Sequence, residues 1–313
     1  MLTPSHRIFV AGHRGLVGSA LVRALEKRGY KHILTRSRTE LDLLDQPAVR
    51  AFLMKEKPEY ILLAAAKVGG IGANMAFPAD FIYDNLMVAA NVIHSAHVAN
   101  IDHLLFLGSS CIYPRQAPQP IGEDALLTGP LEPTNAPYAI SKIAGITMCE
   151  AYNRQYGRSY RPVMPTNLYG INDNFDTENA HVIPALMSRF HAAKIKHLPE
   201  VVLWGTGTPR REFLYADDAA DACLFLLEKD DSLDLVNIGV GEDIPIHDLA
   251  QIMSETVGYR GKVRFDTGKP DGMMRKLLNV QRLATLGWRP RTTLREGLQQ
   301  TYDWYLRHQT GRP

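Results

Sequence analysis

Residues 7–18 read Arg7-Ile-Phe-Val-Ala11-Gly12-His-Arg14-Gly15-Leu16-Val17-Gly18, an apolar run of strand length that stops at three spaced glycines. Helical periodicity follows from Ser19 to Arg28 and ends at Gly29. A strand, a glycine turn and a helix in this order let the backbone approach a pyrophosphate, with the helix's free N–H groups and positive dipole end aimed at it. Gly12, Arg14, Gly15, Leu16, Val17 and Gly18 are therefore expected at a dinucleotide. A plain tight turn is the competing reading. The second strand, His32 to Thr35, ends where an adenosine ribose would lie, and there Arg36-Ser-Arg38 stands in place of an acid. Guanidinium groups match a 2′-phosphate, so Arg38 with Arg36 and Arg14 favours NADP(H) over NAD, tempered by Glu40 and Asp42 close by.

Outward from this unit the alternation repeats as helix Gln46 to Lys55, strand Tyr60 to Ala64, helix Pro78 to Asn100 and strand Leu104 to Leu107. Buried apolar runs alternating with amphipathic helices predict an α/β fold, a Rossmann-type doubly wound parallel sheet with right-handed crossovers. Its strands end in Ala64-Ala-Ala-Lys67-Val-Gly-Gly70 and Gly108-Ser109-Ser110-Cys111, each a switch to small or polar residues where ligands collect.

The whole composition agrees with such a molecule. At 313 residues, 45% hydrophobic and 22% charged, the chain can bury a large core and suggests two unequal domains. A formal net charge of +2, without a long Lys/Arg run, argues against nucleic acid as a partner. No signal core follows Met1 and no uncharged apolar stretch reaches about 18 residues, which points away from membranes and to the cytoplasm. Cys111, Cys149 and Cys223 are odd in number and widely spaced, so free thiols are expected rather than disulfides or a metal site. Cys149 and Cys223 lie in apolar helical patterns and read as core.

Thr134-Asn-Ala-Pro-Tyr138-Ala-Ile-Ser-Lys142 offers a phenol and an amine four residues apart. If Asn135 caps a helix with Pro137 in its first turn, both side chains share one face. A nearby ammonium favours the phenolate, which would make Tyr138 a proton donor or acceptor near neutral pH. An amphipathic helix with a solvated lysine is the bland alternative.

Gly12-x-x-Gly15-x-x-Gly18, Ser109 and Tyr138-x-x-x-Lys142 together resemble the extended short-chain dehydrogenase/reductase superfamily in order and spacing. Ala11-Gly-His-Arg-Gly, Leu107-Gly-Ser-Ser-Cys-Ile-Tyr-Pro, Glu132-Pro-Thr-Asn, Met164-Pro-Thr-Asn-Leu-Tyr-Gly and His181-Val-Ile-Pro-Ala-Leu look more narrowly like the GDP-L-fucose synthase family. That resemblance implies an NADPH-dependent 3,5-epimerase/4-reductase of GDP-4-keto-6-deoxy-D-mannose, the small-molecule substrate. By the same implication Ser109 and Tyr138 hydrogen-bond the keto oxygen, Lys142 holds the ribose and lowers the tyrosine pKa, and Cys111 and His181 form the acid/base pair. The chemistry suits these types, because a C4 ketone acidifies the protons on C3 and C5 and donors aimed at its oxygen stabilise the enolate.

The resemblance further assigns Leu107, Gly108, Pro165, Asn167, Leu168 and His181 to the cofactor, and Arg189, Trp204, Arg211, Lys269 and Asn279 to the nucleotide sugar. The polar loop Asn172 to Asn179 is expected to wall the site. Two departures, Ile171-Asn172 in place of Pro-His and Asn279 in place of Asp, lie near the sugar and nucleotide ends. A sibling activity on a GDP-4-keto-3,6-dideoxy sugar leading to GDP-L-colitose is the runner-up, and a non-catalytic NADP sensor is the contrasting class. The expected organisation is a dinucleotide-binding domain, 1–168 with a returning segment at about 212–238, and a smaller mixed α/β carboxyl-terminal substrate domain, 169–211 and 239–313. The long apolar helices Pro78 to Asn100 and Tyr138 to Tyr156 resemble those that pair as a four-helix bundle across a homodimer.

Overall fold

A computed structural model describes residues 1–176, 180–229, 234–269 and 271–309, so residues 177–179 of the expected 172–179 loop lie outside it. In chain order the strands are β1 (Ile8–Ala11), β2 (Ile33–Leu34), β3 (Tyr60–Leu63), β4 (His103–Leu107), β5 (Ser159–Pro165), β6 (Asn167–Tyr169) and β7 (Glu200–Trp204). There follow β8 (Arg210–Arg211), β9 (Phe213–Tyr215), β10 (Val236–Ile238), β11 (Ile244–Pro245), β12 (Lys262–Asp266) and β13 (Arg275–Lys276). The helices are α1 (Leu16–Lys27), α2 (Gln46–Glu56), α3 (Ile71–Ala76), α4 (Pro78–Val98) and α5 (Ala136–Tyr156). After them come α6 (Val182–Ile195), α7 (Ala216–Lys229), α8 (Ile246–Val257), α9 (Gln281–Thr285) and α10 (Leu294–Gln309).

Six strands form one parallel sheet in the order β10-β5-β4-β3-β1-β2, which reverses direction of travel at β1. Side chains of a strand alternate between faces, and here both faces are covered, so most positions are apolar; Arg161 of β5 and Asn237 of β10 are buried polar exceptions. Along β4, Leu104 and Phe106 point into a core shared with α2, α4 and α5, while Leu105 and Leu107 point into one shared with α1 and α7. Each fully buried Leu or Ile stabilises the sheet by about 1.5–3 kcal/mol. A third apolar cluster lies outside the sheet, where Met187 and Phe190 of α6, Leu249 and Met253 of α8 and Leu298 of α10 meet Val201 and Leu203 of β7. Cys149 and Cys223 are buried in the first two cores, and all three thiols are unpaired.

Helix α1 begins at Leu16, three residues before the periodicity in the sequence shows it. Gly18 therefore sits in the first turn, where a Cβ would lie 2.1 Å from the Gly12 carbonyl oxygen; only glycine closes the turn this tightly. The short α3 carries no periodicity long enough to be foreseen. Helix α5 starts where Thr134–Lys142 places it, but the Asn135 side chain makes no cap; its Nδ2 donates instead to the Cys111 carbonyl at 3.3 Å. Among the described residues no helix is long and apolar enough to cross a membrane.

Candidate active site

The glycine turn closes through Gly15 N–H to the Gly12 carbonyl at 3.0 Å, and no side chain caps the N-terminus of α1. Those free N–H groups and the dipole end form an anion site. Beside it opens a cavity of about 280 Å³ lined by Gly12, Arg36, Arg38, Ala65 and Lys67 among others. The two arginines differ. Arg36 is engaged, donating to Glu56 at 3.2 Å and to the Thr35 carbonyl at 2.7 Å while stacking over Phe52. Arg38 is 74% exposed with only a 3.6 Å approach to Asp42, so it is the guanidinium free to meet a phosphate. Glu40 does not oppose this: its carboxylate accepts from the Ser37 N–H at 2.7 Å and hydroxyl at 2.6 Å. Asp42 accepts from the Leu44 N–H. Glu40 is thus engaged away from the cavity, and with Arg38 at its edge the donor set fits a dinucleotide with a 2′-phosphate.

At the carboxyl end of β4 four side chains converge. Ser109 Oγ lies 3.0 Å from Cys111 Sγ and hydrogen-bonds the Tyr138 hydroxyl. Lys142 Nζ donates to the Leu107 carbonyl at 2.8 Å and lies 4.9 Å from the Phe106 ring. Gly145 brings the helix this close, since a Cβ there would sit 2.3 Å from Phe106. One expectation changes in sign. Tyr138 is buried, and desolvation first, then the neighbouring Cys111, push its pKa up against the hydrogen bond from Ser109. Burial also pulls Lys142 down to about 8, and its ammonium stands 6.0 Å from the tyrosine ring. Desolvation outweighs the ion–phenol attraction read from the sequence, so Tyr138 is held as a neutral phenol.

His181 immediately precedes α6; it keeps an exposed edge, and partial desolvation by the residues around it lowers its pKa. Among the described residues no hydrogen bond joins its ring to Cys111 or Tyr138. Leu107 and Gly108 line the β4 end, and Gly108 N–H donates to Val163 O at 2.8 Å. Pro165 ends β5; Asn167 and Leu168 lie on β6, paired in register with Phe213 and Leu214.

The residues expected at the nucleotide sugar divide. Arg189 donates to the Val202 carbonyl at 3.3 Å on β7, and Trp204 at the end of that strand is 69% exposed under Lys269, whose amine is 5.5 Å from the ring. An exposed indole beside a lysine suits a ligand's aromatic base. Arg211 lies on β8, half-buried, and desolvation disfavours its charge. Asn279 stands at the start of α9, where its Oδ1 accepts from Gln281 N–H at 2.9 Å. A short side chain followed two residues later by a helix start is an Asx turn, and the Asn279 residue that forms it stays exposed.

Comparison with known proteins matches residues 8–239 to the NAD dependent epimerase/dehydratase family. The chain belongs to that family. GDP-L-fucose synthase 1 of Arabidopsis thaliana is 58% identical over 308 residues, covering 98% of this chain and 95% of the relative. GDP-L-fucose synthase of Escherichia coli K12 is 55% identical, covering 97% of each. A GDP-L-fucose synthetase structure from Naegleria fowleri bound to NADP aligns at a TM-score of 0.92 with 28% identity, covering 99% of this chain and 97% of that one.

Three further residues of this epimerase/dehydratase chain escaped the sequence reading. Asn135 was expected only as a cap; its Oδ1 is buried and has no hydrogen-bond partner. Lys276 is desolvated with Cys111, Arg211 and Glu132 as its electrostatic neighbours. Glu212 is a carboxylate with no accessible surface, between β8 and β9. Charged residues in adjacent pairs, Arg210-Arg211 and Arg275-Lys276, were the available signal: in a strand one member of each pair must face inward.

Proposed function

We propose that this chain is an NADPH-dependent epimerase/reductase that converts GDP-4-keto-6-deoxy-mannose to GDP-L-fucose. The observation that carries the reading is the Ser109 hydroxyl bridging Cys111 and Tyr138 at the β4 end, in a chain similar to GDP-L-fucose synthases over nearly its whole length. Ser109 and Tyr138 donate to the C4 keto oxygen and acidify C3 and C5. Cys111 and His181 remove and return those protons on opposite faces. NADPH, when bound, supplies hydride to C4. Tyr138, kept protonated by burial, gives its proton to the developing alkoxide, and the basic Lys142 amine relays a replacement. Gly12, Arg14, Gly15, Leu16, Val17, Gly18 and Arg38 would hold the dinucleotide phosphates; Leu107, Gly108, Pro165, Asn167 and Leu168 would border the nicotinamide end. Arg189, Trp204, Arg211 and Lys269 would hold the GDP moiety.

Residues 1–168 and 212–238 form the cofactor unit in this reading, and 169–211 with 239–313 the substrate unit; β10 lying in the main sheet supports the return. Tyr83 and Leu86 on α4 and Ile140 on α5 are exposed apolar side chains on two helices packed together, which supports a homodimer through a four-helix bundle. A cytoplasmic location, with three unpaired thiols, completes it.

The test is NADPH consumption with GDP-4-keto-6-deoxy-mannose in deuterated water, the sugar being identified by NMR. GDP-L-fucose deuterated at C3 and C5 is expected. Turnover of a 3-deoxy 4-keto sugar alone would replace the reading with the colitose-type activity, and NADPH binding without turnover of either would leave a sensor.

A further inference from the structure

Glu212 has no part in the chemistry just outlined, yet it occupies a costly position for a carboxylate. Its side chain is fully buried, and burial raises its pKa although three backbone N–H groups donate to it. Oε1 accepts from Val240 and Gly241 at 2.6 and 2.7 Å, and Oε2 from Leu278 at 3.1 Å. The Glu212 carbonyl accepts from Asn167 Nδ2 at 2.8 Å. Gly239 approaches so closely that a Cβ there would lie 2.4 Å from Oε1. Three segments therefore meet on one residue: the turn after β10, the chain after β13, and β6 of the cofactor side.

What these segments carry gives the knot its meaning. Strands β8 and β13 pair in parallel, with Arg210 opposite Arg275 and Arg211 opposite Lys276. Arg210 and Arg275 both bind Asp243. Neighbours on a strand face opposite ways, so Arg211 and Lys276 share the other face, where Lys276 has Cys111 and Glu132 as neighbours. Arg211 directly precedes Glu212, and Lys276 lies two residues before the Leu278 that Oε2 holds. Two desolvated cations side by side repel each other and stay together only if the backbone under them is fixed.

We propose that Glu212 is a positioning residue: its carboxylate locks β13 to β8 so that Arg211 and Lys276 present one dicationic edge, beside Cys111, to the diphosphate of the nucleotide sugar. The proposal rests on the substrate class given above. It also explains why an acid stands where an apolar side chain would be cheaper to bury.

Glu212→Gln is the discriminating change. Its carbonyl oxygen can keep the Val240 and Gly241 donors, but its amide then faces the Leu278 N–H, donor against donor, which frees β13. GDP-mannose, which carries the same nucleotide and diphosphate, is titrated calorimetrically into NADP-loaded protein, with NADPH affinity and thermal midpoint measured in parallel. The expected result is an affinity for GDP-mannose weaker by about tenfold with NADPH affinity held within about twofold. Lys276→Gln should lose as much, and the double variant no more than Lys276→Gln alone, because both act through one edge. If Glu212→Gln does not fold, Gly239→Ala displaces the same carboxylate from its other side and carries the test. Unchanged GDP-mannose affinity in a folded variant, or losses that add fully, would overturn the proposal alone. A wild-type protein that does not bind GDP-mannose overturns the substrate reading and this proposal with it.

Discussion

Tyr138 and Lys142 show how burial sets the working state of a residue. Lys142 is pulled from an ordinary 10.5 down to about 8 by desolvation. Between those values the unfolded chain binds the proton that the folded chain has lost, so stability must rise with pH across this window. Thermal midpoints of wild type minus Lys142→Met, taken from pH 8 to 10, should therefore climb; a flat difference would mean that the amine is solvated. Tyr138→Phe removes the donor and leaves the ring, so turnover should fall about 10²–10⁴-fold while NADPH fluorescence titration stays unchanged. The sequence made the residue pair legible, because i, i+4 spacing is local information. The sign of the tyrosine shift was not legible, since it depends on Phe106 and Cys111 packed around the pair from another strand. Lys276 was hidden for the same reason: its neighbours are distant in sequence and only the pairing of β8 with β13 brings them together.

At the scale of elements, α5 owes its closeness to β4 to one missing methyl. Gly145→Ala inserts a Cβ 2.3 Å from the Phe106 ring, and should cost about 1–3 kcal/mol in chemical denaturation. Phe106→Leu in the same chain should restore part of it, which a general loss of helix stability would not allow. The β2 loop yields a second contrast. Arg38→Ala should weaken NADPH binding roughly tenfold and spare NADH, since it removes a free partner for the 2′-phosphate. Arg36→Ala should leave that ratio alone and lower the thermal midpoint, because its guanidinium serves Glu56 and Phe52. Alternating apolar runs and helices made the sheet readable from the chain, although α1 starts at Leu16, three residues ahead of its visible periodicity. What could not be read was which of two arginines two residues apart would be held by α2.

Across the whole molecule the cofactor edge, the catalytic cluster and the exposed Trp204 lie on segments drawn from the entire sequence, tied by few side chains. The outward surface of α4 and α5 is the other feature at this scale. Ile140 is 49% exposed, and Ile140→Glu should convert a light-scattering mass of two chains into one at micromolar concentration; an unchanged mass would remove the helices from the proposed interface. Ile140 also lies midway between Tyr138 and Lys142, on the opposite side of the same turn of α5. In the proposed dimer, the helix that delivers the proton would also be the helix that meets the partner. Specific activity would then depend on how crowded the protein is: dilution would loosen the outer face of α5 and, through it, the inner one, so that abundance itself becomes a control on rate.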